Sequence, residues 1–338
     1  MKYFITGGTG FIGRRLVESV LSQGGEIVLL ARESSDLKGL KGRKGIEIKN
    51  GSLFDCESLA KAMKGCNVAL HLAGYAKNWN RDKSVFTTIN VDGSMNVAKA
   101  ASSAGVPVMV DVSSIVTFGP TDKRGNARTD RGAIIRFTEY EKSKAESEEK
   151  LKDFAKEHKE IRIVMVNPAR VYGPGLITEA NSLTLIIRNY LKYKLYLLLG
   201  TGKNIANYVF VEDIVSGILY AAEKGKSGER YILGGECSSL IGFFEKIHRV
   251  SGKRAVPIFV PKPIALMIGF FAETSAKVFH IYPFITPPWV RHFCADWIYD
   301  CEKAKKELGY IPTPLEKGLK TTIDWLEGLD KKAELNNP

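Results

Sequence analysis

Residues 2–13 read KYFITGGTGFIG and join a short apolar strand to a helix through three glycines. Gly7, Gly10 and Gly13 fit the spacing G-x-x-G-x-x-G. Small residues at this spacing let the backbone turn tightly, approach a pyrophosphate and pack the helix on the strand, so that the anion lies at the helix N-terminus. A glycine pattern alone also fits a simple tight turn. Its place between a strand and a helix, at the start of a β-α-β chain, predicts a nucleotide-binding loop.

Short β-branched strands alternate with helical stretches over the first two-thirds of the chain. Near-continuous apolar strands with helices between them indicate a parallel sheet that is buried on both faces. Right-handed crossovers then give a Rossmann-type, doubly wound α/β fold. Strands are predicted at 2–6, 26–31, 45–50, 67–73, 106–113 and 161–167, and helices at 12–23, 55–64, 83–104 and 134–158.

The β-α rhythm loosens after about residue 174. We therefore predict an NAD(P)-binding Rossmann domain over residues 1–174, with return segments near 206–224, and a smaller, mostly helical substrate-binding domain over residues 175–330. In this second part, strands are predicted at 207–211 and 231–233, and helices at 178–198, from Glu212 onward, and at 239–251, 301–308 and 314–326.

The composition is that of an ordinary globular protein with an excess of basic residues. Of 338 residues, 49 are basic and 37 acidic, which gives a formal net charge of +12. This charge suits an anionic ligand but specifies no partner by itself. The lysines are scattered along helices without a nucleic-acid-binding motif, so we expect a small-molecule substrate and no nucleic acid partner.

The cysteines and the apolar segments bear on the compartment. Five cysteines without a C-x-x-C pair or a Cys/His cluster are most simply reduced thiols, and they predict no metal site. The first strand runs straight into glycines, which leaves no room for a signal peptide. The longest apolar stretch, 263–272, is shorter than the roughly 18 residues that span a bilayer. We expect a cytoplasmic protein.

The end of the second strand distinguishes NAD from NADP. An NAD site usually has an acidic residue there to bind the ribose 2′-hydroxyl, whereas here Arg32 follows the strand end LLA. A guanidinium can pair bidentately with a 2′-phosphate. Arg14 is a second phosphate candidate, and Glu33 keeps NAD open as the alternative. NADP(H) is therefore favoured over NAD(H).

A tyrosine and a lysine four residues apart on a helix can serve carbonyl reduction. The tyrosine delivers a proton if its pKa of about 10 is brought closer to neutral, and the lysine lowers that pKa by stabilising the phenolate. The spacing alone is not specific, because an exposed helix face produces it too. It occurs at Tyr140/Lys144, Tyr190/Lys194, Tyr220/Lys224 and Tyr299/Lys303.

A hydroxyl at a strand end selects one of the four pairs. The carbonyl oxygen has to be oriented from the carboxyl edge of the sheet, where ligands bind in such folds. Ser113 and Ser114 end a predicted strand upstream of Tyr140, and the matching windows of the other three tyrosines contain no serine at a strand end. Ser114, Tyr140 and Lys144 are therefore the predicted catalytic residues.

Four motifs together resemble one known family. They are TGGTGFIG (6–13), DVSSIVTFG (111–119), YEKSK (140–144) and NPARVYGPG (167–175). Their order resembles the extended short-chain dehydrogenase/reductases, the NAD-dependent epimerase/dehydratase group, over residues 1–326. LLARESSD, GERYILGGE and the tail from Thr286 look closest to the 3β-hydroxysteroid dehydrogenase and dihydroflavonol-4-reductase branch.

This resemblance implies roles for further residues. Residues 71–76 would line the ribose and nicotinamide, Asn90 would be structural, and residues 167–170 would pass beneath the nicotinamide. Ser52 follows Gly51 where the family usually has an aspartate that contacts adenine. The predicted cofactor-binding residues are Gly7, Gly10, Phe11, Ile12, Gly13, Arg32, Ser52, Leu53, Leu72, Ala73, Gly74, Tyr140, Lys144, Asn167, Pro168 and Arg170.

The resemblance also suggests a homodimer through the helices near 83–104 and 134–158. Residues 258–293 are apolar and rich in aromatic side chains. They fit an ordinary helical core, an apolar substrate mouth, or a surface that rests on a membrane with Lys262, Lys277 and Arg291 at the headgroups. Peripheral membrane contact therefore stays open beside the cytoplasmic assignment.

Two enzyme functions compete. The favoured one is an NAD(P)-dependent oxidoreductase, NADPH-preferring, that reduces a ketone or oxidises an alcohol on a fairly apolar substrate of steroid, flavonoid or 3-oxoacyl type. The alternative is a nucleotide-sugar epimerase or dehydratase with tightly bound NAD. An intact Ser114–Tyr140–Lys144 triad disfavours a third reading, a non-catalytic nucleotide-binding protein.

Overall fold

The computed structural model describes residues 1–130 and 132–335, which form fourteen strands and twelve α-helices, numbered along the chain. The strands are β1 (Lys2–Thr6), β2 (Glu26–Ala31), β3 (Ile46–Asn50), β4 (Val68–His71), β5 (Val108–Val112), β6 (Thr129–Asp130), β7 (Ala133–Ile134), β8 (Arg162–Pro168), β9 (Arg170–Tyr172), β10 (Leu195–Leu199), β11 (Ile205–Phe210), β12 (Arg230–Leu233), β13 (Glu236–Ser239) and β14 (Val256–Val260). The helices are α1 (Phe11–Ser22), α2 (Cys56–Met63), α3 (Ser84–Thr87), α4 (Gly93–Ser103), α5 (Glu139–Glu157), α6 (Ser182–Tyr193), α7 (Val211–Lys224), α8 (Leu240–Ser251), α9 (Lys262–Phe279), α10 (Pro287–Phe293), α11 (Glu302–Leu308) and α12 (Leu315–Leu335).

Seven parallel strands form the main sheet in the order β3-β2-β1-β4-β5-β8-β12. The chain fills one side of β1 first and then the other, so the strand order reverses between β1 and β4. In sheets of this kind the ligand lies outside the carboxyl ends of the strands at that reversal. The predicted doubly wound α/β fold is confirmed.

Two apolar layers cover the main sheet. On one face, Ile5 and Val110 pack with side chains of α1, α7 and α11. On the other face, Phe4 and Met109 pack with side chains of α2, α4 and α5. Alternate residues of one strand thus enter opposite layers, which explains why the strands are apolar throughout.

The second part of the chain has its own apolar cluster and partly returns to the main sheet. Helices α6, α8 and α12 surround buried aromatic side chains of β9 and β11, including Tyr172 and Tyr208. The strands there form a three-stranded sheet, β13-β11-β9, and a parallel pair, β10-β14. Helix α7 packs on the main sheet, and β12 adds its seventh strand.

Three predicted helix boundaries are wrong, and one of them is the end of the last helix, which lies at Leu335 rather than at residue 326. The helix predicted at 178–198 ends at Tyr193, because Lys194 adopts a left-handed backbone (φ 53°) and residues 195–199 pair with β14 instead. Pairing with a distant strand overrides the helical spacing of the leucines. The helix predicted from residue 134 begins at Glu139, because Thr138 caps it and Ala133–Ile134 pair with β6.

The segment 258–293 departs from an ordinary helical core. Phe259, Met267, Phe270 and Phe271 are between 55% and 61% exposed. Within the part of the chain that the structure describes, no helix is long and apolar enough to cross a bilayer. The apolar side chains of this segment therefore form a surface, and that surface lies outside any membrane span.

We predict that Gly13→Ala destabilises the protein, because a Cβ at residue 13 would lie 2.6 Å from Gly8 Cα and clash with the Gly7 carbonyl. Overpacking of this kind costs about 1–3 kcal/mol of unfolding free energy. Gly328→Ala is the matched control, since it also lies within a helix but meets no atom within 4 Å. It should stabilise the protein by up to about 1 kcal/mol. Denaturant unfolding of both variants measures the effect, and wild-type stability in Gly13→Ala would contradict it.

Candidate active site

The glycine loop between β1 and α1 brings the backbone of β1 and β4 into close contact. Gly7 has a positive φ of 71°, and a Cβ there would lie 2.5 Å from Ala73 N and 2.6 Å from the Leu72 carbonyl carbon. Gly10 has extended backbone and precedes α1 without a side-chain cap, so the first N–H groups of α1 are free of any capping side chain. This loop fits a bound pyrophosphate, because its glycines carry no side chains and its N–H groups at a helix N-terminus can bind an anion.

Of the two arginines that the sequence offers for a phosphate, only Arg32 is placed to bind a ligand. Arg32 follows β2 at the same sheet edge as the glycine loop, and it is exposed. Arg14 instead donates hydrogen bonds to the carbonyl oxygens of Lys38 (2.6 Å) and Asp36 (2.7 Å). Arg14 thus holds the loop after β2 in place, whereas the Arg32 guanidinium remains available.

The other predicted cofactor residues of the first half lie at the carboxyl ends of neighbouring strands. Ser52 and Leu53 follow β3, and the Leu53 carbonyl accepts a hydrogen bond from Asn96. Leu72, Ala73 and Gly74 follow β4, where Thr6 accepts a bond from the Ala73 N–H. Phe11 and Ile12 begin α1. The structure therefore brings this predicted set to one edge of the sheet.

The N-terminus of α5 positions Tyr140. The Thr138 hydroxyl accepts a hydrogen bond from the Glu141 N–H, and the Glu141 carboxylate accepts one from the Phe137 N–H (2.6 Å). These reciprocal bonds resemble a capping box and fix the first helical turn. Lys144 lies one turn further on, is 3% exposed, and donates to the Val112 carbonyl at the end of β5 (3.0 Å).

Ser114, Tyr140 and Lys144 come together as the sequence predicts. Burial raises the pKa of Tyr140 above 10, while the Lys144 ammonium and the adjacent Ser114 hydroxyl act in the opposite direction. The predicted lowering by Lys144 is therefore present, but burial is larger. The site combines a protonated phenol, a buried cation and a second hydroxyl, which together can orient a carbonyl oxygen and protonate it.

Three polar side chains that the sequence analysis did not single out lie beneath this triad. Thr6 Oγ1 and His71 Nδ1 are 2.6 Å apart, and His71 Nε2 lies 4.0 Å from Asp111 Oδ1. Burial, with a smaller effect of Lys144, lowers the pKa of His71 to about 3, so this imidazole is neutral. Burial raises the pKa of Asp111, which the Lys144 charge opposes. Within the described part of the chain, neither oxygen of Asp111 has a hydrogen-bonding partner.

A second buried network fixes Ser114 from behind. The amide nitrogen of Asn167 donates to the Ser114 carbonyl (3.0 Å) and to Glu148 (2.5 Å), and Arg230 pairs with the same carboxylate (3.1 Å). Burial raises the pKa of Glu148, which the Arg230 charge opposes. The Asn167 side chain therefore positions the catalytic serine through its backbone. Pro168 ends β8 beside Leu233.

Asn90 has the structural role that the sequence suggests. It lies in a π-helical turn, Thr88–Asp92, which joins α3 and α4 into one continuous helix. Its side chain accepts a bond from the Tyr75 N–H (2.7 Å) and donates to Ser143 in α5 (2.9 Å). Asn90 thus ties the segment after β4 to the helix that carries Tyr140.

A cavity of about 70 Å³ adjoins Ser114. Arg170, predicted beside the nicotinamide, lies in its wall together with His292 from α10. A larger cavity of about 270 Å³ lies near Phe118 and contains none of the triad. The smaller cavity is therefore the candidate substrate site. It is lined by Ser114, Ile115, Val116, Ala169, Arg170, Asn207, His292 and Trp297.

Sequence reasoning missed Asp111, Glu148 and His292, and it included His71 only as part of the stretch 71–76. Asp111 gave a usable signal in the apolar strand VMVDV, because burial of a carboxylate costs free energy unless the group has a partner. Helix spacing placed Glu148 one turn beyond Lys144. His292 gave no local signal, since its partner Glu141 is distant in sequence.

Comparison with known proteins agrees with this geometry. The family model "NAD dependent epimerase/dehydratase family" matches residues 3–234. A protein of Synechocystis sp., provisionally named dihydroflavonol 4-reductase, is 29% identical over 96% of this chain and 94% of its own length. A sterol-4-alpha-carboxylate 3-dehydrogenase, decarboxylating, from Dictyostelium discoideum is 25% identical over 97% of this chain and 98% of its own length.

The fold is also that of solved members. The structure of UDP-glucose 4-epimerase from Thermotoga maritima superposes with a TM-score of 0.78, at 23% identity, over 97% of this chain and 99% of that one. Its similarity concerns the fold alone. With the family match over two-thirds of its length and the triad at the sheet edge, this chain belongs to the NAD-dependent epimerase/dehydratase family, the extended short-chain dehydrogenase/reductases, and is an NAD(P)-dependent enzyme.

Proposed function

We propose that the protein is an NADPH-preferring oxidoreductase that reduces a ketone, or oxidises the corresponding alcohol, on a fairly apolar substrate. The observation that carries this proposal is the cluster of the Tyr140 hydroxyl with Ser114 and Lys144, in which Ser114 also lines the cavity. The relatives named for dihydroflavonol and sterol chemistry support an apolar ring or chain as the substrate class.

The residues divide the work of carbonyl reduction. When bound, NADPH supplies the hydride that reaches the carbonyl carbon. The Ser114 hydroxyl donates a hydrogen bond that orients the carbonyl oxygen, and Tyr140 gives that oxygen its proton. Lys144 then stabilises the phenolate that Tyr140 becomes. Because burial raises its pKa, Tyr140 is protonated at neutral pH and ready for reduction, the direction that needs an acid.

NADP preference rests on Arg32. Its exposed guanidinium follows the strand end LLA, which has no acidic residue, and Arg14 is engaged elsewhere. A 2′-phosphate at this edge would pair with Arg32 as a charge-assisted, bidentate contact. Glu33, also exposed, is the neighbouring group that would favour NAD instead.

We also propose that the protein is cytoplasmic and rests on an anionic membrane surface through α9. This helix turns Ala265, Gly269 and Ala276 toward the protein, while Phe270 and Phe271 are each 61% exposed. Small side chains inside and large apolar ones outside reverse the usual arrangement of a surface helix. Basic residues at both ends of α9, Lys262 and Lys277, and the net charge of +12 suit anionic headgroups.

The division into a Rossmann part, residues 1–174, and a substrate-binding part, residues 175–330, is part of the proposal. The substrate wall would then lie where the two parts meet, with Arg170 from β9, Asn207 from β11 and His292 from α10. We assign the homodimer interface to two helices. One is the continuous helix made of α3, the π-helical turn and α4, and the other is α5.

Tyr140→Phe should lower kcat by about 100-fold or more, because a general acid contributes about 10²–10⁴-fold and phenylalanine has no proton to give. Tyr220→Phe is the matched control, since Tyr220 is a half-exposed tyrosine with Lys224 four residues on. NADPH absorbance is followed with steroid, dihydroflavonol and 3-oxoacyl ester ketones. Full turnover in Tyr140→Phe would refute the assignment, and conversion of a nucleotide sugar without NADPH loss would favour the epimerase alternative.

Arg32→Ala should weaken NADPH binding by about 10- to 100-fold through loss of a charge-assisted contact, and leave NADH binding unchanged. Arg254→Ala, an exposed arginine ahead of β14, is the control for lost positive charge. Fluorescence titration with both nucleotides measures the two affinities. Equal losses for NADPH and NADH would show that Arg32 does not read the 2′-phosphate.

The double substitution Phe270→Ser, Phe271→Ser should lower partitioning onto phosphatidylglycerol vesicles about 100-fold, since each buried phenylalanine contributes at least about 1.5 kcal/mol. Ile311→Ser, an 83% exposed apolar residue outside α9, should partition like wild type. Vesicle sedimentation at low and high salt gives the measurement. If the double variant partitioned like the wild type, α9 would not bind the membrane surface. If the double variant changed from dimer to monomer in the absence of vesicles, α9 would belong to the dimer interface.

A further inference from the structure

Arg170, a half-buried residue, places a positive charge in the wall of the cavity that contains Ser114. The Arg170 guanidinium stacks over the Phe293 ring, with Cζ 4.7 Å from the ring centroid. Its Nη2 atom is buried and faces the Tyr208 hydroxyl, but among the residues that the structure describes it makes no well-formed hydrogen bond. The charge thus has a hydrophobic support and a donor without an anionic partner.

The groups that face Arg170 do not neutralise it. They are the Tyr208 hydroxyl and the Cys294 thiol, and burial raises the pKa of each. Both groups are therefore neutral at pH 7. Burial lowers the pKa of Arg170 as well, yet a guanidinium stays protonated in proteins. Of the ion pairs within residues 1–130 and 132–335, none includes Arg170. A buried charge without a partner costs free energy, and a bound anion would recover it.

His292 adds a second polar group to the same wall. Its Nδ1 atom lies 2.8 Å from the Glu141 carboxylate, which leaves Nε2 as the ring nitrogen for a ligand. The imidazole also packs on Trp297, with ring centroids 4.5 Å apart. Glu141 belongs to the first turn of α5, so this contact places His292 beside the catalytic helix.

The size and lining of the cavity select the anion. Its volume of about 70 Å³ holds a small charged group and a few carbon atoms. A nucleoside diphosphate is several times larger. The cavity has apolar walls, formed by Ile115, Val116 and Ala169. A large polar ligand would lose its hydration water against these walls. A planar carboxylate fits the volume of the cavity, and its two oxygens match the paired N–H donors of a guanidinium.

We propose that Arg170 and His292 form a subsite for a carboxylate of the substrate, a few bonds from the carbon that exchanges hydride. The substrate class is then an amphiphilic oxo or hydroxy acid with an apolar body. This proposal rests on the proposed function, because it takes Ser114 as the group that orients the reacting oxygen. Arg170 then binds the substrate and takes no part in proton transfer.

The test compares 3-hydroxydecanoate with its methyl ester in NADP⁺ reduction, and decanoate with methyl decanoate in calorimetric binding to the NADP⁺-saturated protein. The acid should be preferred over the ester by about 10- to 100-fold in kcat/KM and in affinity. Arg170→Met should remove this preference, so that the ratio of kcat/KM for the acid to kcat/KM for the ester falls to about one. Arg170→Lys should retain part of the preference for the acid, because lysine keeps the positive charge but lacks the paired N–H donors of a guanidinium. Arg254→Met should behave as wild type.

Each outcome is informative. Equal affinity for decanoate and its ester in the wild-type protein, or a preference that survives Arg170→Met, would overturn the subsite. Binding of UDP-glucose that depends on Arg170 and exceeds that of decanoate would assign Arg170 to a diphosphate and overturn it too. Arg170-dependent binding of decanoate without any nicotinamide turnover would leave the subsite standing and refute the proposed function. Turnover that depends on Tyr140 but is equal for the acid and the ester would support the proposed function and refute the subsite.

Discussion

The active site depends on the register of three central strands. Thr6, His71 and Asp111 are direct partners across β1, β4 and β5, each at or beside the carboxyl end of its strand. A row of polar groups thus crosses an otherwise apolar sheet under Lys144. Because the sheet is buried on both faces, a slip of one residue would put these groups into an apolar layer. Register therefore fixes where Thr6, His71 and Asp111 lie beneath Lys144, the residue proposed to assist Tyr140.

Sequence reasoning succeeded where function depends on local backbone geometry. The glycine spacing predicted the loop because only residues without Cβ fit it, and the serine at the end of β5 selected Tyr140 among four tyrosines. It failed where distant segments meet. Residues 195–199 became a strand because β14 pairs with them, and His292 reached the cavity through a partner 151 positions away. No periodicity in one segment contains that information.

Two surfaces of opposite character meet at α10. On one side Thr286 and Pro287 pack against Gly269 of α9, the helix that exposes its phenylalanines. On the other side, α10 supplies His292 and Phe293 to the surroundings of Arg170. The arrangement gives one short helix contact with both environments.

The support of Ser114 has a consequence for divergence. Asn167, Glu148 and Arg230 hold the serine from the sheet side, and none of them comes from α9 or α10. Ser114 and the substrate wall therefore have separate supports, whereas α5 and α10 are joined through the contact between Glu141 and His292. Substitutions in α10 that keep His292 can change which molecules are accepted while Ser114 stays in place. A lineage built on this plan can acquire new substrates without rebuilding its catalyst.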